Sequence, residues 1–170
     1  MKALIVLPVL VGVVLLDVVT KAVAVSVLSP AGIPQAVVGD WVRFALVYNP
    51  GAAFGLHFGG ASRWIFMALT VIALWVLGQL YRASAADDVR RLLALALVAA
   101  RAVGNVIDRI RSELGVVDFI DVGIGPHRWP TFNVADIAVS SGALLLAFVL
   151  WQEDRQAARL AVVESPDRSS

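Results

Sequence analysis

Apolar residues fall along this chain in four long blocks, separated by stretches that carry most of its charges. Between Ala3 and Val27 the only charges are Asp17 and Lys21. About 25 residues at ~1.5 Å per residue are enough to cross ~30 Å of hydrocarbon as a helix. Trp64 to Tyr81 is uncharged and bracketed by Arg63 and Arg82, the aromatic and cationic flanks expected where a span meets the interface. Arg90 to Ile107 carries no charge apart from Arg90, Arg91 and Arg101, and Ile137 to Trp151 is again uncharged. The pattern predicts an all-α membrane protein, a four-helix transmembrane bundle with spans at about 3–27, 63–82, 90–108 and 134–152 in a single domain over 1–154. The polar residues 155–170 are expected to form a disordered tail. No small-residue cleavage site follows the first block cleanly, so that block is expected to be a retained span rather than a removable leader.

The intervening stretches are not simple turns. Trp41 to Tyr48, W-V-R-F-A-L-V-Y, is rich in β-branched and aromatic residues and is followed by Asn49-Pro50-Gly51. This predicts a strand closed by a turn, part of a small extracytoplasmic β-sheet element.

Composition supports the membrane reading: 59% of residues are apolar and only 16% charged, against about 45–50% apolar in ordinary soluble domains. The net charge of +1 and the absence of a basic stripe exclude a nucleic-acid footprint. With no cysteine there is no disulfide, no thiolate metal ligand and no thiol nucleophile. An even number of spans places both termini on one side. That side would hold Lys2, Arg82, Arg90, Arg91, Arg155, Arg159 and Arg168; the other would hold Arg43, Arg63, Arg109, Arg111 and Arg128 in longer loops. The cation bias predicts that both termini are cytoplasmic.

On these spans the acids converge. Asp17 lies about 21 Å along the first helix from its cytoplasmic end. Asp108 closes the third helix, Asp136 opens the fourth, and Asp118 lies in the loop between them, all toward the outer face. An ionisable group near lipid costs at least ~2.5–3.5 kcal/mol, so each requires a partner or a function. Asp17 precedes Lys21 by one helical turn and Asp108 precedes Arg109, so both can be structural ion pairs. Asp118 and Asp136 have no cation within four residues. Two carboxyl groups held close share one proton and can supply a general base and a general acid together. Asp40 and Asp121 are expected to be solvated loop acids. The only histidines, His57 and His127, stand outside any zinc-peptidase motif, and no serine-hydrolase elbow is present.

Five short motifs carry this pattern: D-V-V-T-K at Asp17 to Lys21, Y-N-P-G-A-A-F-G at Tyr48 to Gly55, G-N-V-I-D-R at Gly104 to Arg109, V-V-D-F-I at Val116 to Ile120, and F-N-V-A-D at Phe132 to Asp136. In that order they resemble the lipoprotein signal peptidase (signal peptidase II) family. The resemblance implies an aspartic endopeptidase of the bacterial inner membrane that removes the signal peptide from diacylglyceryl-modified prolipoproteins, cleaving before the lipidated cysteine. It implies contact with membrane lipid, no cofactor, no metal and no nucleic acid. It assigns catalysis to Asp118 and Asp136 at the outer face, with supporting positions at Asp17, Lys21, Asn49, Gly51, Ala53, Asn105, Asp108, Arg109, Asn133 and Ala135. The family's glycine pair ahead of G-N-x-x-D-R is replaced here by Ala100-Arg101. A bulky cation there can disturb helix packing, or it can reach a local acid or the interface harmlessly. Two other classes remain open: a small proton- or ion-coupled transporter using the acids as a relay, and a non-catalytic lipoprotein-binding relative.

Overall fold

A computed structural model describes residues 1–51 and 59–164, with side chains through 160. The described chain runs α1 (Lys2–Val27), β1 (Gln35–Val38), β2 (Val42–Asn49), a short 3-10 turn (Gly59–Ala61), α2 (Ser62–Ala83), α3 (Val89–Arg111), β3 (Val116–Ile124), β4 (His127–Arg128) and α4 (Val134–Glu164). The helices form a bundle, and the strands form an antiparallel sheet in the order β1-β2-β3-β4 at one end of it.

Three helical stretches are long and apolar enough to cross a membrane: Lys2–Val27, Gly59–Ala83 and Val134–Leu160. Each turns bulky apolar side chains outward, among them Leu4, Leu15, Leu69, Trp75, Leu144 and Phe148. Such surfaces suit lipid rather than water. α3 differs. It carries Arg90, Arg91, Arg101, Asp108, Arg109 and Arg111 and packs against α1, α2 and α4. Its buried residues are mostly small or aliphatic, Leu92, Ala94, Leu95, Ala96, Ala100 and Gly104. Small residues also let α4 approach: a Cβ on Gly142 would stand 2.9 Å from the Ala94 carbonyl oxygen and 2.9 Å from the Leu97 Cβ. Close backbone approach of this kind is how helices pack where no hydrophobic force separates them from lipid.

The fourth helix runs well past its expected end. Residues 155–164, expected to be a disordered tail, continue α4 to Glu164. Gln152, Gln156, Ala157, Ala158 and Leu160 are good helix formers. The start of the extension is also anchored: Arg91 Nη2 lies 2.6 Å from Glu153 Oε2, and the Arg155 guanidinium lies 4.9 Å from the Trp151 ring centre. At the same end Lys2 Nζ donates to the Tyr81 and Arg82 carbonyls at 3.2 and 3.0 Å.

At the sheet end one buried ammonium ties the elements together. Lys21, 3% exposed, lies 2.7 Å from Asp17 Oδ2 on α1 and 2.7 Å from Asp108 Oδ2 on α3. It also donates to Asn105 Oδ1 at 3.2 Å. The two acids reach onward: Asp17 Oδ1 accepts from the Ala135 amide of α4 at 3.0 Å, and Asp108 Oδ2 accepts from the Val117 amide of β3 at 3.3 Å. Gly104 makes this possible, since a Cβ there would stand 2.5 Å from Asp17 Oδ2.

The sheet has its own charged centre. Asp121, expected to be a solvated acid, is a buried residue of β3. Its Oδ2 lies 2.7 Å from Arg43 Nη2 on β2, its Oδ1 accepts from Arg128 Nε on β4 at 2.9 Å, and both arginines also reach Asp40. The sequence places Asp121 beside no cation; antiparallel pairing of Arg43 with Asp121 brings them together. Burial acts to raise the Asp121 carboxyl, but the Arg128 and Arg43 guanidiniums outweigh it and hold the group below the usual carboxylate range.

Two outcomes follow from these clusters. Lys21→Met leaves two buried carboxylates facing each other and is expected to lower stability by about 3–5 kcal/mol, measured by denaturant unfolding in micelles. For Asp121, a folded value below the unfolded one means a contribution present above about pH 4 and lost as the pH falls through the folded value. Thermal unfolding of the wild type is expected to weaken in that acid range, whereas Asp121→Asn starts less stable at pH 7 and shows a flatter dependence.

Candidate active site

Asp118 is the third residue of β3, paired across the sheet with Val47 of β2. Asp136 stands in the first turn of α4. Between them the chain folds back so that Phe132 bridges to Ile120: the Phe119 and Ile120 amides donate to the Phe132 carbonyl at 3.0 and 2.8 Å, and the Phe132 amide returns a bond to the Ile120 carbonyl at 3.0 Å. This pins the entry of α4 onto β3 and brings residue 133 beside residue 118.

Asn133, fully buried, joins the two acids. Its Nδ2 donates to Asp118 Oδ1 at 2.7 Å and to the Val117 carbonyl at 3.2 Å. Its Oδ1 accepts from the Asp136 amide at 3.1 Å, and its own amide donates to Asp136 Oδ2 at 3.2 Å. The reciprocal pair is a capping box, in which the residue before a helix and the third residue inside it satisfy each other's backbone donors. The N-V-A-D spacing signals that box in the sequence; its coupling to a strand carboxylate is visible only in the fold.

The other oxygen of Asp118, Oδ2, accepts from Asn49 Nδ2 at 3.2 Å, and Asn49 Oδ1 accepts from the Gly51 amide at 3.0 Å. Gly51 has φ 112°, and a Cβ there would run into the Phe66 ring, so both the conformation and the space require glycine. Burial and the charge of Asp136 together push the Asp118 carboxyl up to about 6, against the lowering effect of the Asn49 and Asn133 amides and of Lys21. Asp118 and Asp136 line one open cleft of about 420 Å³ with Asn49, Arg101, Asn105, Trp129, Phe132 and Ser140. A larger groove of about 500 Å³ runs along Trp151, Arg155 and Arg159 of α4, but no acid or nucleophile lines it.

The positions named from the sequence therefore separate into groups. Asp118, Asp136, Asn49, Asn105 and Asn133 line the cleft or bond to its acids, and Gly51 closes the turn behind Asn49. Asp17, Lys21, Asp108 and Ala135 form the buried clamp and do not line the cleft. Asp108 is not the partner of Arg109: consecutive helical residues point in different directions, and Asp108 turns to Lys21. Arg109 instead donates to the Asn105 carbonyl at 3.2 Å and lies 5.8 Å from the Phe66 ring centre. Ala53 and His57 lie outside the described residues. Two residues of consequence were not among the expected sites. Gly104 admits Asp17 to the helix interface. Arg101, thirty-five residues from Asp136 in sequence, donates from Nε to Asp136 Oδ1 at 2.7 Å. The cation missing from the neighbourhood of Asp136 along the chain is thus supplied across the α3–α4 contact.

Comparison with known proteins identifies the family and the fold. The family model described as Signal peptidase (SPase) II matches residues 9–152. The lipoprotein signal peptidase of Polynucleobacter necessarius is 37% identical over 147 residues, 85% of this chain and 85% of that protein. That of Paraburkholderia phymatum is 40% identical over 138 residues, 80% of this chain and 81% of its own length. A bacterial membrane enzyme solved by the in meso method at 2.3 Å superposes with a TM-score of 0.77 at 30% identity, covering 87% of this chain and 88% of that one. A second, at 1.9 Å, gives 0.75 at 31% identity, covering 85% and 90%. With the family model spanning nearly the whole bundle and relatives matching over most of their length, the chain belongs to the signal peptidase II family of lipoprotein signal peptidases.

Proposed function

We propose that this protein is an aspartic endopeptidase that removes the signal peptide from diacylglyceryl-modified prolipoproteins, with Asp118 and Asp136 as its catalytic pair. The observation that carries the assignment is that one residue, the buried Asn133, hydrogen-bonds both a carboxyl group from β3 and one from α4 in the same cleft. Membership of a peptidase family supplies the reaction class.

The chemistry needs one shared proton. One carboxylate takes a proton from water as its oxygen adds to the scissile carbonyl carbon, while the protonated partner gives its proton to the carbonyl oxygen. The resulting gem-diol collapses when the first acid returns its proton to the amide nitrogen and the second recovers one from a diol hydroxyl. The C–N bond breaks, and the pair regains its starting state. No metal ion or cofactor takes part in this scheme.

The apolar flanks of α1, α2 and α4 support a membrane-embedded reading in which α3, shielded on three sides, is the fourth span. The sheet and the cleft lie at one end of the bundle and Lys2, Arg82, Arg90 and Arg91 at the other. With the cation-rich end in the cytoplasm, the cleft faces outward, where an exported precursor would present its cleavage site. Ala53, in the same Y-N-P-G-A-A-F-G motif as Asn49 and Gly51, is proposed as a supporting position on the family resemblance alone.

Asp118→Asn and Asp136→Asn are each expected to abolish single-turnover cleavage while the protein remains folded, and the double variant is expected to be no worse than either. Because the Asp118 carboxyl is raised in the folded state, native stability falls as pH rises from about 4 toward about 6. Asp118→Asn should therefore be at least as stable as wild type at pH 7, and an active Asn variant would remove the pair from the chemistry. The kcat/KM of the wild type is expected to decline as pH rises through about 6, where the shared proton is lost. Lipidated precursor should be cleaved at least about tenfold faster than the same precursor without its diacylglyceryl group, a difference of ~1.4 kcal/mol; equal rates would contradict the assigned substrate.

A further inference from the structure

The two carboxyl groups of the pair are not in equivalent surroundings. Both oxygens of Asp118 accept from neutral amides, Asn49 Nδ2 and Asn133 Nδ2, on a residue that is 4% exposed. Asp136 accepts on Oδ2 from a backbone amide, but on Oδ1 it meets the guanidinium of Arg101 at 2.7 Å. Among the described residues, the charged groups around the pair are Arg101 and Arg109 on α3, the latter with its charge felt at Asp118, and Lys21 on α1. Lys21 already faces Asp17 and Asp108, and Arg109 is turned to the Asn105 carbonyl and Phe66. Among the described residues Arg101 is thus the cation in direct contact with the pair, at the position where this chain departs from the small residue of the family motif.

Its placement follows from the helix packing. Ala100 on α3 and Ala135 and Ala138 on α4 are buried, and Ala94 packs under Gly142, so the two backbones run close together. Arg101, next to buried Ala100, emerges at the edge of that contact and lines the cleft beside Asp136, Val139 and Ser140.

We propose that Arg101 is a positioning residue that assigns the roles within the pair, holding Asp136 as the carboxylate that activates water and confining the shared proton to Asp118. The inference rests on the catalytic reading above for its consequence in turnover, but not for its statement about where the proton resides. A carboxylate contact to a cation favours the ionised form, here with an Arg101 side chain that is 46% exposed, and in a pair that shares one proton this displaces the proton to the other member. Asp118, held by neutral amides, is that member.

The test is the titration of aspartate carboxyl carbons, labelled with carbon-13 and followed by NMR on purified protein in micelles, with signals assigned through Asp118→Asn and Asp136→Asn. In the wild type the proton-loss step near pH 6 is expected on the Asp118 carbon alone. In Arg101→Gly and in Arg101→Gln, which keeps the bulk of the stem, that step is expected to spread over both carbons; in Arg101→Lys it returns to Asp118. In parallel, the acid limb of kcat/KM with lipidated precursor should move upward by about one pH unit in the Gly and Gln variants and much less in the Lys variant. A merely structural role would lower kcat/KM at every pH and leave the limb in place. A wild-type step on Asp136, or a step that stays wholly on Asp118 in both Arg101→Gly and Arg101→Gln, overturns the proposal. Failure of the wild type to cleave any precursor, with the carboxyl titrations as expected, overturns the catalytic reading and with it the water-activating role of Asp136, and leaves the confinement of the proton to Asp118 standing.

Discussion

The arrangement of this protein depends on one buried ammonium. Lys21 neutralises Asp17 and Asp108, and each acid then spends a second interaction on a backbone amide, Ala135 for Asp17 and Val117 for Asp108. Those amides belong to the residues immediately before Asp136 and Asp118. One charge cluster thus fixes the backbone of both members of the pair from behind, while Asn133 sets their side chains from the front. A buried ion cluster is weak evidence for stability, because desolvation offsets much of the attraction. Its better explanation here is specificity of placement: α1, α3, α4 and β3 come from distant parts of the chain, and this one cluster joins all four.

The same economy of space shapes the bundle. α3 carries too many charges to face lipid, and the three apolar helices around it present to the outside the residues that a soluble protein would bury. Within this enclosure, glycine and alanine at positions 94, 100, 104, 135 and 142 bring helix backbones close enough for short polar side chains to meet. A larger residue at 104 would push Asp17 out of reach of Lys21 and Ala135, and the effect would pass to the site although Gly104 does not line the cleft.

Much of this was legible in the chain. Block hydrophobicity marked α1, α2 and α4, because a membrane span is a local property of about twenty residues. The strand at Trp41 to Tyr48 was also legible from its β-branched and aromatic run, and β2 covers most of it. The pairing of Asp17 with Lys21 followed from one-turn spacing, and the motif order located the cleft residues. What could not be read is what long-range contacts decide. Asp121 looked solvated because its two arginines lie on other strands. Asp108 looked like the partner of Arg109 because adjacency in sequence hides the divergence of consecutive helical side chains. The capping-box signal at Asn133 and Asp136 was present but said nothing about Asp118, and the sequence allowed Arg101 to reach a local acid without showing that the acid is Asp136, across the α3–α4 contact. The extension of α4 to Glu164 was missed because a polar composition was taken as a mark of disorder, although most of its residues favour a helix.

In the proposed mechanism the peptide bond is broken in the cleft between β3 and the start of α4, with both carboxyl groups on the reacting carbonyl. This placement is tested most directly by the structure of Asp118→Asn bound to an uncleaved, lipidated precursor. The scissile carbonyl is expected within about 3 Å of both the residue-118 amide and the Asp136 carboxylate, or joined to them through one water, with the flanking peptide running past Asn49 and Trp129. A precursor seated with that bond against the Lys21 clamp, or along the groove at Trp151 and Arg155, would contradict it.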